Sequence, residues 1–279
     1  MTSSSEYASA IDERASAHTS AHTSAPTVTT HLVLIPSYNA GDALIATVRG
    51  ARAAWNPVWI VIDGSTDGSE RAVMQLAEND AGVRVFVLPR NQGKGAAVLH
   101  GLVAARDAGF THALTMDSDG QHPADRIADF MRASIAAPDA MVLGNPVFDE
   151  KAPSIRVKGR RISNWWTRLE TMSFDRTRCI GDALFGFRVY PIAPLVDIMR
   201  KSRWMRRFDF DTEAVVRLAW RGIEPINVDA AVRYLDADEG GVSHFKYVRD
   251  NLLLTGMHLR LLCGFVLRLP LLVARRLRN

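Results

Sequence analysis

The chain has 279 residues, 47% of them hydrophobic and 23% charged, with a formal net charge of +4. That length is enough to bury a substantial core, and that composition excludes wholesale disorder and a multi-span membrane protein. Two cysteines, Cys179 and Cys263, lie far apart without metal-ligand spacing and read as small buried hydrophobes in a reducing compartment.

Residues 1–30 are rich in Ser, Ala and Thr and lack the apolar run of a signal peptide, so they read as a disordered leader. From His31 the texture changes. His31 to Ile35 is a short apolar strand, followed by a Pro-Ser-Tyr-Asn turn and a helix from Ala43 to Ala54. Val58 to Ile62 is a second strand that runs into Asp63-Gly-Ser-Thr-Asp-Gly68 and another helix. Val83 to Leu88 is the third strand, and a helix from Ala96 to Ala108 follows it. The fourth strand, Ala113 to Met116, ends on Asp117. Strands alternating with helices predict an α/β fold, a mostly parallel central sheet with helices on both faces. Ligands bind such sheets beyond the carboxyl ends of the strands. The polar turns after strands one, two and four all fall at that edge, which places Tyr38, Asp63, Asp117 and Asp119 around one site.

In Met116-Asp-Ser-Asp-Gly-Gln-His-Pro123, residues i, i+2 and i+4 of a turning segment can point the same way. Asp117, Asp119 and Gln121 would then offer oxygen ligands to Mg²⁺ or Mn²⁺. A bare Asp-x-Asp equally suits a capped turn before a helix; its place after a buried strand favours the ligand reading. Asn91-Gln-Gly-Lys-Gly-Ala-Ala97 opens a helix and can present backbone N–H groups and Lys94 to an anion. A tight strand-to-helix connection explains it as well.

Taken in order, Ile35-Pro-Ser-Tyr-Asn39, Ile62-Asp-Gly-Ser-Thr-Asp67, Asn91-Gln-Gly-Lys-Gly95, Met116 to Pro123, Gly186-Phe-Arg188 and Phe210-Asp-Thr-Glu-Ala214 resemble the family 2 glycosyltransferases of GT-A, Rossmann-like fold. The likeness spans roughly His31 to Asn251 and is nearest the dolichyl- or polyprenyl-phosphate mannose synthase branch. It implies that Pro36 and Tyr38 line a nucleobase pocket and that Asp63 contacts base or ribose. It also implies that Asp117, Asp119 and Gln121 hold metal and diphosphate, and that transfer inverts the anomeric centre. Ala40, Ile62 and Pro146 depart from that branch, so the resemblance does not assign GDP-mannose as donor. The implied halves are a nucleotide-sugar-binding part, 31–145, and an acceptor-binding part, 146–245.

Cations concentrate between Arg156 and Arg207 and again after Lys246. Arg156, Lys158, Arg160 and Arg161 precede Trp165 and Trp166, and the matching stretch of the resembling enzymes faces phosphates; a solvated basic face is the alternative. Asp211 occupies the position from which related transferases supply a catalytic base, though it also suits a cap on a helix starting near Thr212. Gly240 to Phe245 resembles the segment that closes over donor phosphates, which makes His244 a candidate contact. No nucleic-acid motif is present, so nucleic acid is not an expected partner.

The tail, 246–279, is apolar but interrupted by His258, Arg260 and Arg268, and Pro270 should break a helix there. Charges near the middle of a bilayer are costly. As a helix, the segment would gather Arg249, Arg260, Arg268 and Arg275 on about a third of its circumference. An amphipathic helix lying on an anionic membrane surface is expected, and packing on the protein's own core is the alternative. The combined expectation is a peripheral enzyme of the cytoplasmic membrane face. It would move a sugar from a nucleotide-diphosphate donor to a lipid-linked acceptor, either a polyprenyl phosphate or a lipid hydroxyl. Asp119 and Asp211 are the expected catalytic carboxylates. A nucleotidyltransferase or a non-catalytic scaffold of the same fold are the rival readings.

Overall fold

The computed structural model describes residues 29–148, 154–173, 179–232 and 247–277. Seven strands form one sheet: β1 His31–Ser37, β2 Val58–Asp63, β3 Val83–Leu88, β4 His112–Thr115, β5 Met141–Phe148, β6 Arg188–Pro191 and β7 Pro225–Val232. Their order is β3-β2-β1-β4-β6-β5-β7. All neighbours are parallel except those of β6, which runs antiparallel to both β4 and β5. All seven residues of β1 are buried, as a central strand covered on both faces must be.

Side-chain alternation divides the core in two. Leu32 and Leu34 point to one face with Leu102, Tyr190 and Phe210, under helices α3 (Lys94–Asp107), α6 (Ile192–Lys201) and α7 (Asp209–Trp220). Val33 and Ile35 point to the other with Leu44, Val48, Phe130 and Phe187, under α1 (Ala43–Ala54), α2 (Glu70–Asn79) and α4 (Ile127–Ala136). The strand order reverses between β1 and β4, so the loops after these two strands bound a crevice at the carboxyl edge. That crevice is where the expected site residues gather.

Several expectations needed correction. Helix α3 starts at Lys94, two residues earlier than the sequence pattern suggested, because Gly93 takes φ 102° and turns the chain directly into the helix. Neither cysteine is a buried hydrophobe: Cys179 is half-buried, Cys263 is exposed, and both are free thiols. Residue 145, where the two halves were expected to meet, lies inside β5, which hydrogen-bonds β6 on one side and β7 on the other. The leader, 1–30, lies outside the described residues up to position 28.

The tail departs most from expectation. Helix α8, Tyr247–Arg276, runs straight through Pro270. Pro270 is exposed, so the lost backbone bond falls on an uncrowded face. Arg249 stays exposed, but Arg260 and Arg268 turn inward, and Arg275, though exposed, bonds the body. Arg260 bonds Glu213 Oε2 at 3.0 Å and lies 4.0 Å above the Trp204 ring. Arg268 stacks 4.7 Å over Trp220, and Arg275 donates to the Trp220 carbonyl at 3.1 Å. His258 links Glu170 on α5 (Ser154–Thr171) through Nδ1 at 2.9 Å, with Ser163 Oγ at 2.9 Å from Nε2. Met257, Leu261 and Leu272 are buried beside Trp220. Gly264 permits the close approach, since a Cβ there would stand 2.8 Å from the Trp220 ring. Outward face Leu252, Leu259, Val266 and Val273, one residue in seven and hence one stripe.

His31 and His112, opposite each other on β1 and β4, stack at 4.5 Å. Burial, and then the charge of His112, depresses His31 to about 4, and burial lowers His112. His31 is therefore neutral in the folded state above about 4 and His112 also resists protonation, whereas the unfolded chain takes up protons at about 6.5. Stability should thus fall as pH drops below about 6.5. We expect the urea midpoint to fall between about pH 7.5 and about pH 5, and His31→Gln to show a smaller fall; an equal fall would assign the acid sensitivity to other groups.

Candidate active site

The crevice is held by loops tied across the sheet edge. Asn39, at φ 46°, accepts the Thr66 N–H on Oδ1 at 2.8 Å, and its own N–H donates to Ser65 Oγ at 3.0 Å. Asp67 accepts from the Gly41 N–H at 2.9 Å. The loops after β1 and β2 therefore move as one unit. Tyr38 is half-buried at their junction, and Pro36 is buried inside β1 opposite Val61. Asp63 ends β2 with both carboxylate oxygens engaged, accepting the N–H groups of Gln92 at 2.9 Å and Gly93 at 2.7 Å. Burial, only partly offset by these bonds, raises its pKa. Asp63 thus positions the start of α3, a job the sequence did not disclose.

Lys94, the first residue of α3, lies between two carboxylates. Its Nζ is 2.7 Å from Asp117 Oδ1 and 2.7 Å from Asp211 Oδ2. Burial opposes its charge, but the two carboxylates outweigh burial and raise its pKa. Asp117 is pushed up by burial, then pulled lower by Lys94, His122 and Arg188, and it finishes below the usual carboxylate range. Asp119 behaves oppositely. Burial first, and the neighbouring Asp117 charge second, raise it to about 6. Its Oδ1 accepts the Gln121 N–H at 3.0 Å, which closes the turn and leaves the half-buried Gln121 beside the pair.

His122, next in the chain, is a residue the sequence reading passed over. Its Nδ1 accepts the Asp117 N–H at 2.9 Å, and its Nε2 lies 3.7 Å from Asp117 Oδ2. Its ring packs on Phe185 and Phe187. Burial lowers its pKa to about 4, so it is a neutral prop for the Asp117 turn.

Asp211 was a candidate cap, but α7 begins two residues earlier and its N-cap residue, Phe208, makes no side-chain cap bond. Asp209 instead ties down the turn leading into α7, its Oδ2 accepting from the Met205 N–H and its Oδ1 from the Arg207 N–H, both at 3.0 Å. Asp211, inside the first turn, faces Lys94, and its Oδ1 is buried with no hydrogen-bond partner among the described residues. Beneath lies Arg188 of β6, fully buried, bonded to the Asp211 carbonyl, to Tyr190 Oη at 2.9 Å and to the Asp182 carbonyl at 3.4 Å. The Gly-Phe-Arg triplet was visible in the sequence, but not that its arginine would support the floor of the site. Gly186 leaves room above it; a Cβ there would meet Lys94 Nζ at 2.7 Å and Asp117 Oδ2 at 3.2 Å.

The basic stretch on α5 is partly committed. Arg160 pairs with Asp182 at 2.7 Å and lies over Phe148, while Arg161 is exposed. Asp182, another residue missed from sequence, also accepts from Asn164 Nδ2 at 3.0 Å and from the N–H groups of Leu184 and Phe185. It ties α5 to the segment that carries Phe185 and Gly186. His244 and the rest of the Gly240 to Phe245 motif lie outside the described residues, as do the side chains of Arg156 and Lys158.

The donor atoms fit a divalent cation shared with a diphosphate. Asp117, Asp119 and Gln121 offer only oxygen, and an adjacent cation would relieve the repulsion that raises Asp119. Among the described residues no group of three or more His, Cys, Asp or Glu is placed to hold a metal ion.

A mostly parallel sheet with a carboxylate pair at its switch point is the frame on which many α/β enzymes bind their ligands. Comparison with known proteins makes the class definite. Residues 32–194 match the Glycosyl transferase family 2 model, and the chain belongs to that family and is a glycosyltransferase. It is 30% identical over 204 residues to the polyprenol monophosphomannose synthase of Mycolicibacterium smegmatis, covering 69% of this chain and 71% of that one. It is 28% identical over 207 residues to the undecaprenyl-phosphate mannosyltransferase of Micrococcus luteus, covering 71% and 81%. Among solved structures it resembles the UDP complex of glucosyl-3-phosphoglycerate synthase from Mycobacterium tuberculosis, with TM-score 0.55, 15% identity and 85% and 79% of the two chains covered. The GT-A-like fold expected from the sequence is therefore the one observed.

Two substitutions separate geometry from stability. Lys94→Met strands Asp117 and Asp211 as a like-charged pair and should cost about 3 kcal/mol or more. Gly186→Ala displaces the flexible end of Lys94 and crowds Asp117; it should lower the urea midpoint by much less than Lys94→Met does, while lowering kcat/KM by up to roughly 10²-fold. Unchanged turnover in Gly186→Ala would show that the Lys94 position is not critical.

Proposed function

We infer that this chain transfers a sugar from a nucleotide-diphosphate donor to a polyprenyl phosphate, with inversion, at a membrane surface. The observation that carries this reading is the position of Lys94. One buried cation lies between Asp117, on the donor side of the crevice, and Asp211, at the start of α7. A carboxylate already neutralised by a lysine is a weak general base. A phosphate acceptor is itself an anion and needs none, whereas a lipid hydroxyl would. The two curated relatives bear names of polyprenyl-phosphate transferases, which supports the same choice.

In this reading Pro36, Tyr38 and the tied loops hold the nucleobase, and Asp63 keeps the Gln92–Gly93 turn against them. Asp117, Asp119 and Gln121 hold Mg²⁺ or Mn²⁺ against the diphosphate, where the cation would offset charge on the departing nucleotide. Asp211 and Lys94 orient one another at the acceptor side. Arg160 and Arg161, with His244, supply cations for phosphates. The outward stripe of α8 rests in the membrane interface, on the cytoplasmic side where nucleotide sugars are made. The helix is long and apolar enough to cross a bilayer. Its contacts run along the body from Met257 to Arg275, which supports lying on the surface instead.

Undecaprenyl phosphate and undecaprenol, offered with a panel of UDP, GDP and dTDP sugars, should yield product only from the phosphate; transfer to the alcohol at a comparable rate would restore Asp211 as a base. In calorimetry with Mn²⁺, Asp119→Asn should weaken donor binding at least about tenfold and Asp211→Asn should not. Asp119 must shed its proton to hold the cation. Since its pKa is raised to about 6, metal-dependent donor affinity should rise from about pH 5 to about pH 7.5, and a flat profile would count against this ligand set. For the membrane, Leu259→Glu with Val266→Glu should release the protein from phosphatidylcholine vesicles, each charge opposing insertion of the stripe. Undiminished co-sedimentation would place that stripe in another contact.

A further inference from the structure

A cleft of about 630 Å³ opens beside α8, away from the crevice, between the end of α6, the end of α7 and α8 itself. Five cationic side chains line it, Lys201, Arg203, Arg217, Arg221 and Arg268, and among the described residues no carboxylate does. Of the five, only Arg217 has an ion pair among the described residues, with Glu213 at 2.7 Å. Glu213 is also bound by Arg260, so it offers little to neutralise the rest. Such a concentration of positive charge in a cleft repels itself and raises the local concentration of anions.

Two indoles complete the walls. Trp204, exposed, lies 4.0 Å under Arg260, and Trp220 lies 4.7 Å under Arg268. Arginine, lysine and tryptophan together mark the level of lipid headgroups. Position in the fold selects the ligand further: Arg268 is flanked in the chain by the exposed Leu267 and Leu269, with Leu271 beyond. A molecule that fills this cleft with an anionic group can therefore lay an apolar part along α8, which a free anion cannot.

We propose that this cleft binds the phosphate headgroup of an anionic membrane phospholipid, separately from the acceptor in the catalytic crevice. It orients the enzyme on the membrane, whereas the α8 stripe supplies undirected insertion. The inference rests on the membrane reading of α8 only for its setting; the cleft itself can be tested without a bilayer.

The test uses the full-length chain, a Lys201→Gln/Arg203→Gln variant and an Arg49→Gln/Arg132→Gln control that removes the same charge elsewhere. Tryptophan fluorescence would follow titration with a short-chain phosphatidylglycerol kept monomeric, with inorganic phosphate and a single-stranded oligonucleotide in parallel. The expected result is saturable lipid binding weakened roughly tenfold or more in the cleft variant, at about 1 kcal/mol per basic residue, and unaltered in the control. Vesicles of phosphatidylcholine alone should bind the cleft variant as well as the wild type, and a two-to-one mixture with phosphatidylglycerol should favour the wild type. Absent or unsaturable lipid binding, equal losses in both variants, or binding of phosphate or oligonucleotide at least as tight as lipid would overturn the proposal. If neither vesicle type binds while the monomeric lipid does, the α8 reading fails and the cleft stands.

Discussion

A lysine held between two aspartates sets the terms for the rest of this molecule. Lys94, Asp117 and Asp211 come from the start of a helix, the end of a strand and the start of another helix, so each ion pair is also a tertiary restraint. Burying three charges is costly unless every one is paired. Much of the nearby architecture provides that pairing or protects it. Gly186 leaves space for the ammonium, His122 holds the Asp117 turn, Arg188 supports the Asp211 backbone, and Asp209 ties down the turn that leads into α7.

The same cluster separates two carboxylates that the sequence presents as equals. Asp117, with Lys94 at one oxygen, is held ionised, whereas Asp119, pushed up by burial and then by the charge of Asp117, resists ionisation. A divalent ion would find one ligand ready and one whose charge it must induce. In the proposed reading, donor binding and deprotonation of Asp119 would then be linked.

The sheet and the crevice were legible because local signals agreed with the fold. Apolar runs such as Val58 to Ile62 can only be central strands, and the polar turns that follow them mark the carboxyl edge. Side-chain partnerships were not legible, because they depend on contacts remote in sequence. Lys94 and Asp211 are 117 residues apart, and nothing at either position announces the other. Asp182 and His122 look ordinary until burial gives them neighbours. The tail shows a different limit: periodicity correctly put the arginines of α8 on one side, but could not say which side faced the body. Trp220, Glu213 and Trp204 decided that, by offering rings and a buried carboxylate that arginine satisfies better than water does.

Gly264 has a reach well beyond its size. The missing side chain lets α8 press against the Trp220 ring, and α8 carries both the outward leucine stripe and one wall of the cationic cleft. In the proposed reading, the spacing of α7 and α8 would fix how far the catalytic crevice stands from the lipid plane, and so how far a lipid-linked acceptor must rise from the membrane before it meets the sugar. The working height of the enzyme would then be set inside the protein, by a hydrogen atom against an indole.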